Sequence, residues 1–332
     1  MLADTRISGM SCVHVPAEPY VLSIDAKQVA DALPYDRLIA ALEAAFAGQY
    51  EVPQRAHHEV PLPGGNPGTL LLMPAWRPGG CMGVKIATIF PDNAERQLPA
   101  VFASYLLLDG DTGAPLAILD GTEITLRRTA AASALASSYL SRTRAGSLLM
   151  VGTGGLAPHM IAAHVTVRPI TEVAIWGRRR EAASDIAAGF ATAGFSVSVC
   201  TNLEEGVSRA DIISCATLAR EPLIPGDWLR SGQHLDLVGA YNPKMREADS
   251  RAMARAEVYV DTRAGALAEA GDIVQAIADG SISAADIRGD LRDLVTGKSD
   301  GRSSDGAITV FKSVGTAIED LAAAELVLRN RG

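Results

Sequence analysis

Two glycines and an alanine in this chain have the spacing of a ligand-binding turn. Gly152, Gly154 and Ala157 form the pattern G-x-G-x-x-A directly after the apolar residues 147–150. In a strand–turn–helix unit, the first glycine allows a tight bend, the second lets backbone approach a pyrophosphate, and the small third residue lets helix and strand pack. The helix N-terminus then offers backbone N–H donors to phosphates. The pattern predicts a dinucleotide-binding turn, with an ordinary glycine-rich loop as the alternative.

Three arginines follow the next predicted strand, where the ribose of a dinucleotide is usually recognised. A carboxylate about 20 residues beyond the glycine turn commonly accepts the ribose hydroxyls of NAD. Here Arg178, Arg179 and Arg180 occupy that place, and Glu181 is the first acid. Guanidinium groups favour a 2′-phosphate, so the sequence favours NADPH, with NADH as the alternative cofactor. A solvated basic helix start is the competing explanation, although cations there oppose the helix dipole.

Lys85 is a candidate for proton chemistry because it lies in the otherwise apolar run 82–87. Burial of its ammonium group in a strand is costly unless it meets an anion or transfers a proton. Such a lysine would donate a proton to a bound substrate or orient it. A solvent-facing strand lysine is the alternative. His57 and His58 are adjacent in a predicted strand and point to opposite faces, so neither joins the candidate set.

The elements around the glycine turn predict a doubly wound parallel sheet. Short apolar runs alternate with polar or helix-patterned connections such as residues 181–193. The six runs are residues 147–150, 173–176, 197–200, 212–215, 235–238 and 258–260. This alternation is typical of an α/β domain that binds a nucleotide at the carboxyl ends of its strands. We therefore predict a Rossmann dinucleotide-binding domain over residues 126–311.

The chain before the turn has a different pattern. Residues 25–50 show helical periodicity interrupted by Pro34, which predicts two helices. Five strand-like runs follow, and the last two flank Asp109-Gly110-Asp111-Thr112-Gly113, a strong hairpin signal. The runs are residues 55–60, 69–73, 82–90, 101–108 and 115–119. A long helix over residues 121–140 is predicted to lead into the Rossmann domain.

The C-terminal segment is expected to return to the first domain. Residues 309–331 carry a broad apolar stripe, which predicts a helix after the Gly- and Ser-rich loop 296–307. The first domain then comprises residues 1–125 with 312–332. The predicted fold class is α/β: a Rossmann doubly wound parallel sheet plus an α+β domain with an antiparallel sheet.

Composition argues against several classes of function. The chain has 30 Lys and Arg against 38 Asp and Glu, and its formal net charge of −8 argues against a nucleic-acid partner. The four cysteines lack metal-ligand spacing, so no metal site is expected. No signal-peptide pattern or apolar run of about 18 residues is found, and no membrane partner is expected. We expect a cytoplasmic protein.

Several short motifs, in the same order along the chain, resemble the ornithine cyclodeaminase/mu-crystallin family. They are Gly83-Val84-Lys85, Leu119-Asp120-Gly121, Leu126-Arg127-Arg128-Thr129-Ala130-Ala131, Gly152-Thr153-Gly154, Phe311-Lys312-Ser313-Val314-Gly315 and Glu319-Asp320-Leu321. Together they are far more specific than any one of them. The resemblance implies a homodimer in which a sheet-rich domain, for substrate binding and dimerisation, is joined to a Rossmann domain.

The resemblance also implies roles for particular residues. Arg128 and Arg55 match positions that bind a substrate carboxylate, which a guanidinium can grip with two hydrogen bonds. Structural ion pairing is the alternative for both arginines. Lys85 would stabilise or protonate the nitrogen side of the substrate. The other matched positions are assigned to the cofactor site: Thr129, Gly152, Gly154, Gly155, Leu156, Ala157, Arg178, Arg179, Ala216, Thr217, Val238, Gly239, Ser313 and Val314.

A departure from the family pattern favours one of its activities. The ornithine cyclodeaminases resemble one another in an aspartate within G-G-D-x-P, whereas this chain has Gly239-Ala240-Tyr241-Asn242-Pro243. Neither Tyr241 nor Asn242 is a carboxylate base at neutral pH. We therefore predict an NAD(P)H-dependent reductase that converts a cyclic imino acid, such as a pyrroline- or piperideine-2-carboxylate, to a cyclic amino acid such as proline. An ammonia-releasing, NAD-dependent ornithine cyclodeaminase and a non-catalytic, crystallin-like NADPH-binding protein are the alternatives.

Overall fold

The computed structural model describes residues 21–330 of the 332-residue chain. Contacts divide the chain into two units. Unit 1 contains the described parts of Met1–Pro34, Gly48–Thr125 and Ala317–Gly332, and unit 2 contains Tyr35–Ala47 and Leu126–Thr316. The domains predicted from sequence place residues 35–47 and 312–316 in the first domain, whereas contacts place both segments in unit 2.

The first part of the chain is rich in strands, and in the second part strands and helices alternate. In chain order they are β1 (Leu22–Ile24), α1 (Ala26–Ala32), α2 (Tyr35–Ala47), β2 (Ala56–Val60), β3 (Gly68–Trp76), β4 (Cys81–Ile89), β5 (Val101–Asp109), β6 (Pro115–Asp120), α3 (Gly121–Leu140), β7 (Ser147–Val151), α4 (Ala157–Val167), β8 (Glu172–Trp176), α5 (Arg180–Gly189), β9 (Ser196–Val199), α6 (Leu203–Arg209), β10 (Ile212–Cys215), β11 (His234–Leu237), α7 (Ser250–Arg255), β12 (Glu257–Val260), α8 (Arg263–Glu269), α9 (Gly271–Ala278), β13 (Ile287–Asp290), α10 (Leu291–Val295), β14 (Thr309–Lys312) and α11 (Ala317–Arg329).

Unit 1 is built on a six-stranded sheet with the order β1-β6-β5-β4-β3-β2. Strands β2 to β6 pair antiparallel, as predicted, whereas β1 pairs parallel with β6. Strand β1 was not predicted, because three residues are too few to show an alternating pattern. Helix α11 packs against β3, β4 and β5. It therefore brings its side chains to the middle strands of this sheet.

The predicted hairpin joins β5 to β6. The Asp109 carboxylate accepts hydrogen bonds from the backbone N–H groups of Asp111 and Thr112, at 3.1 and 2.8 Å, and from the Thr112 hydroxyl at 2.7 Å. Gly113 closes the turn at φ +74°, a conformation that glycine adopts without strain. These contacts confirm the hairpin that the Asp-Gly-Asp-Thr-Gly sequence predicts.

Unit 2 is built on an eight-stranded sheet with the order β13-β12-β14-β11-β10-β7-β8-β9, and all neighbours are parallel. The chain moves from β7 to β8 and β9, and then crosses to β10 on the other side of β7. In doubly wound sheets this reversal opens a crevice at the carboxyl ends of the strands, where nucleotides bind. The predicted α/β fold with a Rossmann sheet is confirmed.

The prediction of a continuous C-terminal helix from residue 309 was wrong. Residues Thr309–Lys312 form β14, which lies between β11 and β12, and α11 begins only at Ala317. All four residues of β14 are buried. A short strand covered on both faces shows no alternation, so its apolar residues merge in the sequence with those of the following helix. Strand β13 was missed as well.

Helix α2 (residues 35–47) belongs to unit 2 because of the elements it packs against. It packs against α4 and α10. The Tyr35 hydroxyl lies 2.8 Å from Nδ1 of His159, and the Tyr139 hydroxyl donates to Glu43 at 2.5 Å.

Within residues 21–330 no helix is both long and apolar enough to cross a membrane.

Candidate functional site

The glycine turn between β7 and α4 has the geometry that a phosphate-binding turn requires. Gly152 has φ +122°, and a Cβ there would lie 2.5 Å from the Ala216 carbonyl oxygen. Its N–H donates to the Trp176 carbonyl at 2.8 Å. Only glycine accepts this backbone conformation at such close range. The turn is thereby held against the ends of β8 and β10.

The backbone at the start of α4 is open to the approach of a ligand. A Cβ at Gly154 would meet no atom within 4 Å, and one at Gly155 would meet only the Leu126 side chain, at 4.0 Å. Leu156 precedes the helix and makes no side-chain capping bond, so no side chain caps this helix N-terminus. Within the first turn the Ala157 N–H donates to the Gly154 carbonyl at 3.0 Å and Pro158 has no N–H, so the donors for an anion would come from the backbone just before the helix. Helix N-termini left in this way favour anions.

Arg178 and Arg179 lie at the carboxyl end of β8, next to this turn. Both side chains are exposed, and Arg179 is the residue that precedes α5. Gly177 allows close approach, because a Cβ there would lie 2.5 Å from Cγ2 of Thr153 in the glycine turn. The two arginines are therefore held close to the turn that would bind the pyrophosphate.

The carboxyl ends of β10 and β11 are joined by a side chain that the sequence analysis did not single out. The Glu247 carboxylate accepts hydrogen bonds from the N–H and hydroxyl of Thr217, at 2.7 and 2.8 Å, and from the N–H of Gly239 at 2.7 Å. Ala216 and Val238, the remaining predicted residues of these loops, are half-buried and buried. Burial raises the pKa of Glu247 to about 7, against the opposing effect of Lys312.

A second carboxylate, that of Asp261, holds the loop after β14, which lies beside Arg128. Asp261 accepts hydrogen bonds from the backbone N–H groups of Val314 and Gly315, at 2.8 and 2.6 Å, and from the Ser313 hydroxyl at 3.2 Å. Gly315 has φ +80°, and a Cβ there would lie 2.3 Å from Nη1 of Arg128. The backbone of this loop therefore lies directly against the Arg128 guanidinium.

Arg128 and Thr129 lie in the middle of α3 and are 5% and 7% exposed. The helix can be buried there because the residues that follow are small, with Ala130, Ala131 and Ala132 fully buried. A guanidinium in such surroundings recognises a carboxylate more strongly than one in water, because solvent screening is weaker.

In unit 1, Lys85 faces the sheet side that α11 covers. Its Nζ lies 2.9 and 2.8 Å from the two carboxylate oxygens of Asp320, and the two side chains are 4% and 0% exposed. Asp320 is thus the anion that burial of a strand lysine requires. Asp320 belongs to the motif Glu319-Asp320-Leu321 that resembles the family, but the sequence did not predict its pairing with Lys85. The one hint in the sequence was that Asp320 is an acid within the apolar pattern of α11, where a buried cation would be its expected partner.

A tyrosine lies beside this ion pair. Tyr105 is directly opposite Lys85 in the β4–β5 pairing and is fully buried. Its hydroxyl lies over Gly83, where a Cβ would come within 2.3 Å of that oxygen. Burial, with the charges of Asp320 and Glu325, raises the pKa of Tyr105 well above its usual value. Tyr105 therefore stays neutral and supplies a hydroxyl dipole near the Lys85–Asp320 pair.

Arg55 precedes β2 rather than lying within it, and its side chain is half-buried. His57 and His58 are both exposed and alternate between the two faces of β2. Within residues 21–330 no group of His, Cys, Asp and Glu side chains is arranged to hold a metal ion.

Comparison with known proteins identifies the family. The model of the ornithine cyclodeaminase/mu-crystallin family matches residues 21–331. The chain belongs to this family. It is 40% identical over 311 residues to the Delta(1)-pyrroline-2-carboxylate reductase of Colwellia psychrerythraea, covering 92% of this chain and 98% of that protein. The resemblance inferred from the short motifs is confirmed.

Solved structures of the family share the architecture over nearly the whole chain. The Thermococcus litoralis Delta(1)-pyrroline-2-carboxylate reductase, in complex with NADH and L-proline, has a TM-score of 0.88 and 33% identity, covering 93% of this chain and 97% of that one. An archaeal alanine dehydrogenase, described as a dimer with bound NAD, has a TM-score of 0.86 and 32% identity, covering 93% of this chain and 95% of the other.

Proposed function

We propose that this protein is an NAD(P)H-dependent reductase that converts a cyclic imino acid to a cyclic amino acid, with Δ1-pyrroline-2-carboxylate and proline as the leading substrate and product. The observation that carries the proposal is the 40% identity to a pyrroline-2-carboxylate reductase across 92% of this chain. A piperideine-2-carboxylate, with one more ring carbon, is the second substrate candidate. The two-domain division predicted from sequence assigns substrate binding to residues 1–125 with 312–332 and cofactor binding to residues 126–311.

The proposed cofactor site uses the backbone of unit 2. The glycine turn that leads into α4, formed by Gly152, Gly154, Gly155, Leu156 and Ala157, would bind the pyrophosphate through backbone N–H groups. When bound, the reduced nicotinamide supplies a hydride to C2 of the C=N bond. The other residues assigned to this site are Thr129, Arg178, Arg179, Ala216, Thr217, Val238, Gly239, Ser313 and Val314.

Side chains of the protein would orient the substrate and supply the proton. Arg128 and Arg55 would bind the substrate carboxylate through their guanidinium groups. Lys85 would donate a proton from its ammonium group to the imine nitrogen, so that hydride and proton together convert C=N to CH–NH. Asp320 keeps the buried lysine compensated in charge before this transfer.

The end of β11 argues against cyclisation of ornithine. Tyr241 stands where the cyclodeaminase pattern has an aspartate; the tyrosine is 41% exposed, and its backbone N–H donates to the Gly239 carbonyl at 2.8 Å. A phenol at this place is not a base at neutral pH. The proposed reaction is therefore reduction rather than ammonia release.

The direct test is a substrate screen with the purified protein. Oxidation of NADPH and NADH is measured with five- and six-membered cyclic imino acids, and ammonia release is measured with ornithine. Rapid cofactor oxidation with an imino acid is expected. Ammonia from ornithine without added cofactor would establish the cyclodeaminase instead, and cofactor binding with no turnover of any imine would establish a crystallin-like binding protein. Lys85→Ala is expected to abolish reduction while cofactor binding persists.

We further propose a preference for NADPH over NADH. Two exposed guanidinium groups, Arg178 and Arg179, adjoin the turn, and the first acid is Glu181. Exchange of both arginines for alanine removes the partners of a 2′-phosphate and is expected to raise the Kd for NADPH at least tenfold, as loss of about 1.4 kcal/mol would. The Kd for NADH should stay within twofold. An equal effect on both cofactors would contradict the preference.

We also propose that the protein is a cytoplasmic homodimer. Register places Ile86, Phe102 and Ile118 on one face of the unit 1 sheet, and they are 39%, 47% and 49% exposed. Exposed apolar side chains grouped on a sheet face are typical of an interface. Light scattering after size exclusion should give twice the mass of the 34.7 kDa chain. Ile118→Lys should shift the protein toward the monomer.

A further inference from the structure

Glu247 lies outside the residues assigned above to substrate or cofactor. Its side chain is 0% exposed, yet both carboxylate oxygens are used as acceptors. One oxygen binds Thr217 twice, through its N–H and its hydroxyl, and the other binds the N–H of Gly239. Bonds of this kind, from backbone donors to an ionised acceptor, are stronger than bonds between neutral groups.

These bonds lie where the parallel ladder of the sheet ends. The N–H of Ala216 still donates to Val151 of β7, and the N–H of Val238 still donates to Cys215 of β10, both at 2.9 Å. One residue further along each strand, the N–H donates to the Glu247 carboxylate instead. The carboxylate therefore ties the loops after β10 and β11 together beyond the last sheet bonds.

The same loop lies against the glycine turn. A Cβ on Gly152 would be 2.5 Å from the Ala216 carbonyl oxygen and 3.3 Å from Cγ2 of Thr217. Gly239 is equally confined, since a Cβ there would lie 2.0 Å from the Thr217 carbonyl oxygen and 2.4 Å from Oε1 of Glu247. Displacement of Thr217 would therefore be transmitted to the turn that is proposed to bind the pyrophosphate.

Glu247 is itself anchored by a buried ion pair. Asp272 accepts hydrogen bonds from the backbone N–H groups of Glu247 and Ala248, at 2.8 and 2.9 Å. The other oxygen of Asp272 lies 3.1 Å from Nζ of Lys312, and both of these side chains are 0% exposed. Lys312 immediately precedes Ser313 at the end of β14. The cluster thus links the ends of β10, β11 and β14.

We propose that Glu247 is a positioning residue for the dinucleotide: it fixes the loops after β10 and β11 against the glycine turn and acts on the cofactor only through them. Ionised Glu247 satisfies all three donors. Protonation, or replacement by glutamine, turns one acceptor into a donor that faces an N–H group, which breaks the bond on that side. The inference rests on the nucleotide-binding part of the proposed function and does not depend on which imine is reduced.

The test compares cofactor affinity in Glu247→Gln, Glu247→Asp and Asp249→Asn. Asp249 is the matched control, because it accepts two backbone N–H bonds, from Gly226 and Ala252 at 2.8 Å each, at the start of α7. The Kd for NADH is measured by fluorescence titration without substrate. We expect Glu247→Gln to raise it about tenfold, Glu247→Asp to raise it less because the charge is kept, and Asp249→Asn to leave it unchanged.

A second measurement uses the unmodified protein and covers the case in which Glu247→Gln fails to fold. Burial raises the pKa of Glu247 to about 7, with Lys312 on β14 lowering it and Asp272 on α9 raising it. Cys215 on β10 also faces this carboxylate, and burial keeps its thiol neutral by raising its pKa. The Kd for NADH should therefore rise several-fold as the pH falls from about 8 to about 6. NADH is the probe because it lacks a titrating 2′-phosphate.

The outcomes separate the two proposals. If the unmodified protein binds neither NADH nor NADPH, the proposed function fails and this inference with it. If it binds them while Glu247→Gln has the same Kd, or while the Kd for NADH is constant across that pH range, only the positioning role is refuted. His159 on α4 also lies near the turn, so a pH dependence that persists in Glu247→Gln would assign the effect to another group and refute the role of Glu247.

Discussion

Replacing Gly315 by alanine tests whether Arg128 binds the substrate carboxylate. At φ +80°, an alanine Cβ would lie 2.3 Å from Nη1 and 3.0 Å from Nη2 of Arg128. Such distances are far shorter than a carbon–nitrogen contact, so the guanidinium must move. Asp261 holds the backbone of this loop through the N–H groups of Val314 and Gly315, which limits how far the loop can move instead.

The control is Gly194→Ala. Gly194 has φ +77°, and a Cβ there would meet no atom within 4 Å. Both substitutions carry the same backbone cost of about 1–2 kcal/mol for a left-handed alanine. Only Gly315→Ala also displaces a guanidinium. The difference between the two variants therefore isolates the displacement of Arg128.

The magnitude follows from the bond that is lost. A hydrogen bond between a guanidinium and a carboxylate contributes about 1.5–3 kcal/mol, which corresponds to a rise of about 10- to 150-fold in KM for the imino acid. Steady-state kinetics at saturating NADPH measure this effect, and fluorescence titration should show a Kd for NADPH within twofold of that of the unmodified protein. If KM changes equally in both variants, or in neither, Arg128 does not bind the carboxylate as proposed.

Three further predictions concern buried titratable groups. Asp320→Asn removes the carboxylate that pairs with the Lys85 ammonium group, and urea denaturation should show that the free energy of unfolding falls by about 3–5 kcal/mol. The double variant Lys85→Met with Asp320→Leu should regain much of that stability but no activity. Full stability in Asp320→Asn would contradict the ion pair. Asp261→Asn removes the charge that holds Gly315, so KM for the imino acid should rise several-fold, and an unchanged KM would show that the loop is held by other contacts. Burial lowers the pKa of His234 to about 3, below the unfolded value of 6.5. Between these two values the folded state binds fewer protons than the unfolded state, so stability should be lost as the pH falls from about 6.5 toward 3. His234→Asn should flatten this part of a plot of melting temperature against pH, and an unchanged slope would assign the loss of stability in acid to other groups.

The sequence predicted the nucleotide half of the fold well because its signals are local. The Gly152–Gly154 turn, the short apolar strands on either side, and the arginines after β8 are each readable within a few residues. The hairpin at Asp109 is local in the same way. Burial on both faces hid β14, since four consecutive buried residues have no period that separates a strand from a helix.

The partners of the charged groups could not be predicted, because they come from distant parts of the chain. Lys85 and Asp320 are 235 residues apart, and Asp261 reaches Gly315 across 54 residues. The sequence indicated that Lys85 needed an anion but gave no means to choose among 38 acids. Glu247 had no signal at all, because its role depends on two strand ends that only the fold brings together.

Reduction of a cyclic imine with a nicotinamide cofactor is the activity proposed for this protein. The most direct measurement mixes the purified protein with NADPH and Δ1-pyrroline-2-carboxylate and follows cofactor absorbance and proline formation together. We expect NADPH oxidation to be matched mole for mole by proline formation, and both to be lost in Lys85→Ala. Oxidation without proline, turnover that survives Lys85→Ala, or no oxidation with either five- or six-membered imines would contradict it.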